Sequence, residues 1–454
     1  MTRKVVPCPS RPAVPSSPPG WKSETYEIHV VTPMFGGGVE PGEPDPVTLV
    51  RTTTIRGHLR FWWRATCGAR FQSVGELRAA EVAIWGDTET PSQVIVGVDV
   101  LAAEETLRCA QYRWNPHARG GQGGHQLRWN DPFSGRDNCL PYVLFPFQGE
   151  PPEPRHDQDA RPKREPAPFI ASTRFRLTCC FPNALAKDVR ISLWAWCNFG
   201  GIGARTRRGC GSIFCSEFAP PRGDTAAIGE WWSKACSHFA SEIRNSPRDW
   251  PTLPPRLYVG SVQGTVAAWK KAISVLQRFR QGIGKGRNAG TQRNRPGRSR
   301  WPEPETVREV TGQRAARHRR LQHIPNNVVP RAAIGLPIVF HFKDRGDPED
   351  ATLYPLVAEE RLSRMATPLI VKPLAVSAEQ ACPLILRLVA PRPEGAVLVQ
   401  EDDDTVQEVR RFNLSAIYSD RLGKYPNSPM SGYDDAVEAL IDYAGKSGFQ
   451  EISR

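Results

Sequence analysis

One stretch constrains this chain more than any other: Asn198-Phe199-Gly200-Gly201-Ile202-Gly203-Ala204-Arg205-Thr206-Arg207-Arg208-Gly209-Cys210-Gly211-Ser212. Two Gly-x-Gly pairs, Gly201/Gly203 and Gly209/Gly211, bracket five residues, three of them arginine. Glycine accepts positive φ and lets one backbone approach another closely. Arginine presents a planar fork of donors that matches a phosphate. Two readings stay open: a loop shaped to lie along a polyanion, or an ordinary tight turn with solvated arginines. No Gly-Lys-Ser/Thr follows at the spacing of a P-loop. Thr206 stands where a dinucleotide fingerprint needs its third glycine.

Charge favours the first reading. Lys and Arg number 60 against 47 Asp and Glu, a net charge of +13 over 454 residues. Such an excess suits a polyanionic partner, nucleic acid or an anionic membrane surface. No apolar run is long enough to span a bilayer, and the N-terminus has no apolar signal region. The eleven cysteines are scattered and odd in number, which reads as reduced thiols in a cytoplasmic protein. Cys210, Cys215, Cys236 and His238 could supply zinc ligands, but without a repeated spacing they read as small buried side chains, and no metal or cofactor is expected.

Residues 1–20 hold six prolines and are expected to be a flexible tail. Tyr26 to Thr32 alternates as a strand and runs into the turn Met34-Phe35-Gly36. Thr52-Thr53-Thr54 offers helix caps ahead of Ile55 to Arg64. In that helix Ile55, Leu59 and Trp62 share an apolar side, while Arg56, Arg60 and Arg64 form a row about a quarter-turn away with Trp63 beside them. Three arginines on one ridge with no acidic i+4 partner repel one another, and a polyanion would relieve this; the bland reading is a solvated face. Val74 to Ala83 reads as helix and Val94 to Val100 as strand. Residues 113–140 read as an irregular insertion and Gly149 to Pro168 as a linker. Phe169 to Phe181 is a strand with a partly basic face, Val189 to Trp196 a helix, and Ser212 to Cys215 a strand. This order is the split βαβ, or ferredoxin-like, plan.

Trp231 to Ile243 is expected to be a helix, and Trp250 to Pro255 marks a boundary between 21–250 and 251–454. A long helix, about Val262 to Gln281, opens the second half. From Lys270 to Arg320 there are fifteen Lys/Arg and three acids, so this window holds nearly the whole excess charge. Its glycine- and arginine-rich middle, Gly282 to Gly297 with Lys285 and Arg287, reads as disordered until a nucleic acid binds it. Ile334 to Phe340 and Leu384 to Val389 read as strands, Arg361 to Pro373 as a basic loop entering a strand, and Tyr433 to Tyr443 as a helix.

Thr32-Pro33-Met34-Phe35-Gly36-Gly37, the helix from Ile55 to Arg64, and the Gly201–Gly211 loop resemble the RAMP superfamily of CRISPR systems, and within it the first-subunit family of type III-B (Cmr) RNA-guided effectors. Ile334-Gly-Leu-Pro and Arg364-Met-Ala-Thr-Pro-Leu-Ile are similar to that family's C-terminal motifs. The likeness spans about Tyr26 to Pro373 and leaves 1–20, 113–140 and 285–320 unmatched. It implies an α+β protein of two ferredoxin-like (RRM-like) domains in tandem, with a glycine-rich loop and a basic insertion at about 282–320. It implies a non-catalytic subunit that holds the 3′ region of a CRISPR guide RNA and its duplex with target RNA, beside other RAMP subunits and away from any membrane. Carried over by position, the RNA-facing residues are Met34, Phe35, Gly36, Arg56, His58, Arg60, Trp63, Arg64, Gly201, Gly203, Arg205, Arg207, Arg208, Gly209, Gly211, Lys285, Arg287, Arg361 and Arg364. Cations and close glycine approach would grip the backbone, and Met34, Phe35 or Trp63 would stack on bases.

Two other classes compete. A guide-processing or target-cleaving ribonuclease needs an acid and a base, for which His29 and His58 are candidates, or clustered carboxylates, whereas Asp87, Asp99 and Asp188 are dispersed. A protein adaptor would meet an acidic partner through the same basic surface.

Overall fold

Alternation in Tyr26-Glu27-Ile28-His29-Val30 places Tyr26, Ile28 and Val30 in the core and Glu27 in solvent, within strand β1 (Trp21–Val30). After it come α1 (Thr52–Ala65), α2 (Val74–Trp85), β2 (Ile95–Ala103), β3 (Thr173–Pro182), α3 (Ala186–Phe199), β4 (Ile213–Phe214) and α4 (Thr225–Phe239). The structure is a computed structural model describing residues 18–38, 42–45, 47–118, 123–153, 157–239, 249–290, 297–319, 325, 327–402, 405–424 and 427–453. The tail at 1–17, Ile243, Arg293, Arg295 and Arg320 therefore lie outside the described residues.

The strands pair antiparallel in the order β4-β1-β3-β2. Counted along the chain this is 4-1-3-2, with α1 after the first strand and α3 after the third. β3 buries Phe175, Leu177, Cys179 and Phe181 and exposes Arg174 and Arg176. Period-two patterning thus gives the sheet one face for the helices and one open face.

The second half contains β5 (Arg256–Val259), α5 (Thr265–Gln281), α6 (Glu303–Thr311), β6 (Ile338–Phe340), β7 (Ala351–Val357), β8 (Leu369–Ala375), β9 (Gln380–Arg387), β10 (Gly395–Asp402), β11 (Thr405–Asn413), α7 (Ala436–Lys446) and β12 (Gln450–Ser453). β5 lies between β12 and β9, and β8 pairs with β9. Setting aside α2 in the first half, and α6, β6, β7, β10, β11 and the short Gln263–Gly264 strand on β9 in the second, both halves run strand-helix-strand-strand-helix-strand, paired 4-1-3-2. The repeat is one of connectivity. The inserted strands form their own sheet, β6-β7-β10-β11.

Several expectations are corrected. Part of 113–140 is a regular hairpin, Ala110–Asn115 against Gly124–Trp129, in which Trp114 faces His125. Within Gly149 to Pro168, Glu150–Pro152 pairs with Pro162–Arg164. The threonines do not cap α1: Arg51 is its cap residue, and no side chain closes it. Asp45 instead organises the entry, accepting from the Val47 and Thr48 amides at 2.9 and 2.8 Å and from Arg51 Nε at 3.0 Å. Gly282 to Gly290 is not disordered. It folds against 297–300, with Asn288 N donating to Arg298 O at 3.0 Å and Arg300 N to Gly286 O at 2.9 Å.

The apolar core does not stop at residue 250. One buried cluster runs from Tyr26 through Trp232 to Leu384 and Ile452, and a second joins Phe35 and Phe133 to Trp269 and Leu440. The connecting segment is pinned on both sides, since Leu253 N donates to Ala65 O at 2.7 Å and Thr252 N to Val389 O at 2.8 Å. Truncating a buried aromatic such as Trp269, which touches both halves, would remove about 3–5 kcal/mol.

Candidate nucleic-acid interface

The glycine loop leaves α3 and folds back on itself. Ile202 N donates to Gly211 O at 2.9 Å, Gly211 N to Pro33 O at 2.9 Å, and Ala204 N to Phe35 O at 2.7 Å. Thr32 Oγ1 donates to Gly209 O at 2.6 Å and accepts from Ser212 N at 2.8 Å. The loop and the Met34–Gly36 turn are therefore one unit. A Cβ on Gly211 (φ 58°) would lie 1.9 Å from Ile202 O, and one on Gly209 would lie 2.4 Å from Trp269 Nε1. The glycines admit protein backbone and an indole. Their predicted role in close approach to RNA is corrected on that ground.

The loop's arginines reach across to the second half. Arg207 donates to Thr367 O and rests on Phe61, 5.4 Å from its centroid. Arg208 donates to Leu369 O at 2.8 Å, and Trp269 Nε1 donates to Arg208 O at 2.7 Å. Lys372, fully buried in β8, donates to Gly200 O at 2.5 Å, gripping the C-terminal end of α3. Burial alone pulls its amine down to about 7, relieved only weakly by Cys197. Arg205, in the left-handed region at φ 57°, lies over Phe145 at 5.6 Å, and its Nε has no partner. Arg280, at the end of α5, donates to Tyr142 Oη at 3.0 Å, and its Nε is likewise unpartnered. Burial, and then the neighbouring arginines, pull Arg208 down to about 9. Among the described residues none of these four guanidiniums meets a carboxylate.

The α1 arginines behave otherwise. Arg60 Nε and Arg64 NH1 both donate to Glu81 Oε1, each at 2.7 Å, and Glu81 is 5% exposed on α2. The expected free ridge is corrected: the acid comes from the next helix, beyond the reach of an i+4 search. Trp63 is fully buried and donates to Asp188 Oδ1 at 2.8 Å. Met34 and Phe35 are also fully buried, Phe35 stacked on Phe147 at 4.4 Å. None of the three presents a face to a base, so the stacking role fails. Arg56 stays partly exposed. His58 lies over Trp196, and burial lowers its pKa.

Four arginines of the basic window, Arg298, Arg308, Arg314 and Arg317, are ion-paired in the fold. Glu305 takes Arg298, Arg308 and Arg314 at 2.5, 2.8 and 2.6 Å. Asp347 takes Arg308 and His318, each at 2.8 Å, and Asp344 takes Arg317 and His318. Both aspartates lie outside the window, so counting charge within it overstated what is free. Lys285 lies over Tyr443 at 5.2 Å, Arg287 is half-buried, Arg361 lies over Tyr354 at 5.0 Å, and Arg364 is exposed three residues before Thr367. Cys210 and Cys215 belong to different core clusters, and the His238 side chain lies outside the described residues. Sequence reasoning missed Arg280, Tyr142, Glu81 and Lys372. Only Lys372 left a signal, a lone cation inside the apolar strand Leu-Ile-Val-Lys-Pro-Leu-Ala.

Residues 27–214, which hold most of the first sheet and the whole glycine loop, match the family model of the RAMP superfamily. More particularly, it is homologous to Cmr1 subunits. CRISPR system Cmr subunit Cmr1-2 of Pyrococcus furiosus is 24% identical over 199 residues, 41% of this chain and 92% of that protein. Subunit Cmr1-1 of the same organism is 24% identical over 168 residues, 36% of this chain and 40% of its own length. Among solved structures, apo Cmr1 from Pyrococcus furiosus aligns at TM-score 0.42 and 15% identity, over 85% of this chain and 94% of that one. A chain of the type III-B Cmr-beta assembly bound to cognate target RNA aligns at TM-score 0.42 and 12% identity, over 92% and 99%.

Proposed function

We propose that this chain is a non-catalytic, RNA-holding subunit of a type III-B CRISPR effector ribonucleoprotein, built from two tandem ferredoxin-like units. The repeated 4-1-3-2 pairing supports the architecture. One observation carries the function: Arg205, Arg207, Arg208 and Arg280 gather where the halves meet, with no carboxylate among their described partners and two Nε donors unused. Carbonyl oxygens and aromatic rings can position guanidiniums but cannot cancel their charge. A ribose-phosphate strand alongside the junction supplies the opposing charge, while the two unpartnered Nε atoms are themselves buried inside the protein. Arg56 and Arg364 extend the contact, while Arg207 and Arg208 clamp the halves. The ligand is guide RNA and its duplex with target RNA, and the neighbours are other RAMP subunits.

The ribonuclease reading loses its acid–base pair. His29 lies on the open sheet face beside Glu27 and Phe214, whereas His58 lies on α1 against Trp196. The test is fluorescence anisotropy with a labelled single-stranded RNA across a salt series. R205A/R280A is expected to weaken binding about tenfold and to reduce the salt slope by about 1.4, at about 0.7 per phosphate contact. Unchanged affinity and slope in a folded variant would refute the assignment.

A further inference from the structure

The junction between the halves is built on one edge strand. β8 is the second strand of its sheet and pairs only with β9 among the described residues. Its other edge is covered by the first half: Arg207 on Thr367 O, Arg208 on Leu369 O, and the end of α3 under Lys372. All seven residues of β8 are buried. The repeat assigns β8 a counterpart in the first half, which is β2, also second in its sheet.

β2 pairs only with β3 among the described residues. Its nine residues, Ile-Val-Gly-Val-Asp-Val-Leu-Ala-Ala, contain a single charge. Ile95 is 59% exposed, Val100 46% and Leu101 37%. A bulge at Leu101 interrupts the pairing with β3, but the edge carries no lysine or proline, and a long apolar edge of this kind is a template for association. The same topological position is thus covered by the other half of the molecule at β8, whereas at β2 no further strand pairs with it among the described residues.

We infer that the outer edge of β2 is the docking surface for a second ferredoxin-like protein, which covers it as this chain's own loop covers β8. The occupant must bring an apolar surface over Ile95, Val100 and Leu101 and side-chain N–H donors for outward carbonyls. Another copy of this chain does not qualify. Its arginine loop is already engaged at β8, and the corresponding turn in its second half, Lys446-Ser447-Gly448-Phe449, has no arginine. The inference rests on the proposed reading of the chain as one subunit of a larger complex.

The experiment co-expresses the chain with the other RAMP-superfamily subunits of its own complex and measures amide hydrogen exchange over 95–103, free and assembled. Assembly is expected to slow these amides at least about tenfold, and V100K/L101E to cut recovery of the partner subunits about tenfold. That variant leaves RNA affinity of the free chain within about twofold, because β2 carries none of the proposed phosphate contacts. Exchange that does not change on assembly would overturn the inference, whatever the variant does. So would protection that appears in the free chain on raising its concentration, which would give the edge to a second copy. A chain that assembles through β2 yet fails to bind RNA would overturn the RNA reading and leave this one standing.

Discussion

Arg56, Arg60 and Arg64 on α1 and Arg205, Arg207 and Arg208 in the glycine loop look alike in the sequence, as clustered arginines without an adjacent acid. Folding separates them. On α1, Arg60 and Arg64 share one oxygen of the buried Glu81. In the loop the donors go to Thr367 and Leu369 carbonyls and the cations to the faces of Phe61 and Phe145. A carboxylate removes a charge from the field the protein presents, and a carbonyl does not. The loop therefore stays attractive to an anion although its arginines are the more enclosed, while the more accessible helix ridge is half-cancelled.

The sharpest way to break this contrast is Glu81→Gln. It leaves two guanidiniums facing a neutral amide, and removing one partner of a buried pair costs about 3–5 kcal/mol, toward the lower end here because Arg60 and Arg64 are 27% and 34% exposed. Urea unfolding measures it, and a loss under about 1 kcal/mol would mean the α1 arginines are solvated after all. Next in size is Arg208→Met, which leaves the Leu369 carbonyl unmet and costs about 1–3 kcal/mol. Arg205→Met should cost less, since its Nε already lacks a partner. Equal losses for the two would remove the distinction between clamp and ligand site within the loop.

RNA affinity separates the two groups of arginines directly. R60A/R64A should change affinity by no more than about twofold, against about tenfold for R205A/R280A, because neutralised cations release few counterions. A larger effect from the helix pair would show that Glu81 yields its arginines to RNA.

Local pattern was enough for β1, α1, β3, α3 and the long α5, because each shows its burial period over several turns or pleats. It was enough for the first unit's connectivity too. It failed where partners are distant in sequence. Glu81 lies 17 residues beyond Arg64, and Asp347 lies 39 residues beyond Arg308. The buried state of Phe35 and Trp63 was equally invisible, since a turn aromatic and a helix-flank indole read as surface until Phe147 and Asp188 close over them. The glycines signalled close approach correctly but not to what: Trp269, from the second half, fills the space a side chain at Gly209 would need.

Lys372 gives the smallest effect and the finest test. Its amine is buried with carbonyl acceptors and titrates at about 7, well below an ordinary lysine, because burial disfavours the charged form. Between pH 7 and the ordinary lysine range the unfolded chain binds the extra proton and the folded chain does not. Stability contributed at this site should therefore rise with pH above about 7 and be flat below it, where both states are protonated. The slope is at most about 1.4 kcal/mol per pH unit, so a gain of about 1.6 kcal/mol is expected at this site from pH 7 to 8.5, a window in which unfolded-state thiols also begin to titrate. Lys372→Met removes the titrating group, and the difference between the two unfolding curves isolates it. A flat difference would mean that Lys372 stays an ammonium, held by the Gly200 and Asn198 carbonyls as Arg208 is held by Leu369. The junction would then carry a fifth uncompensated cation, and the contrast between helix and loop would widen.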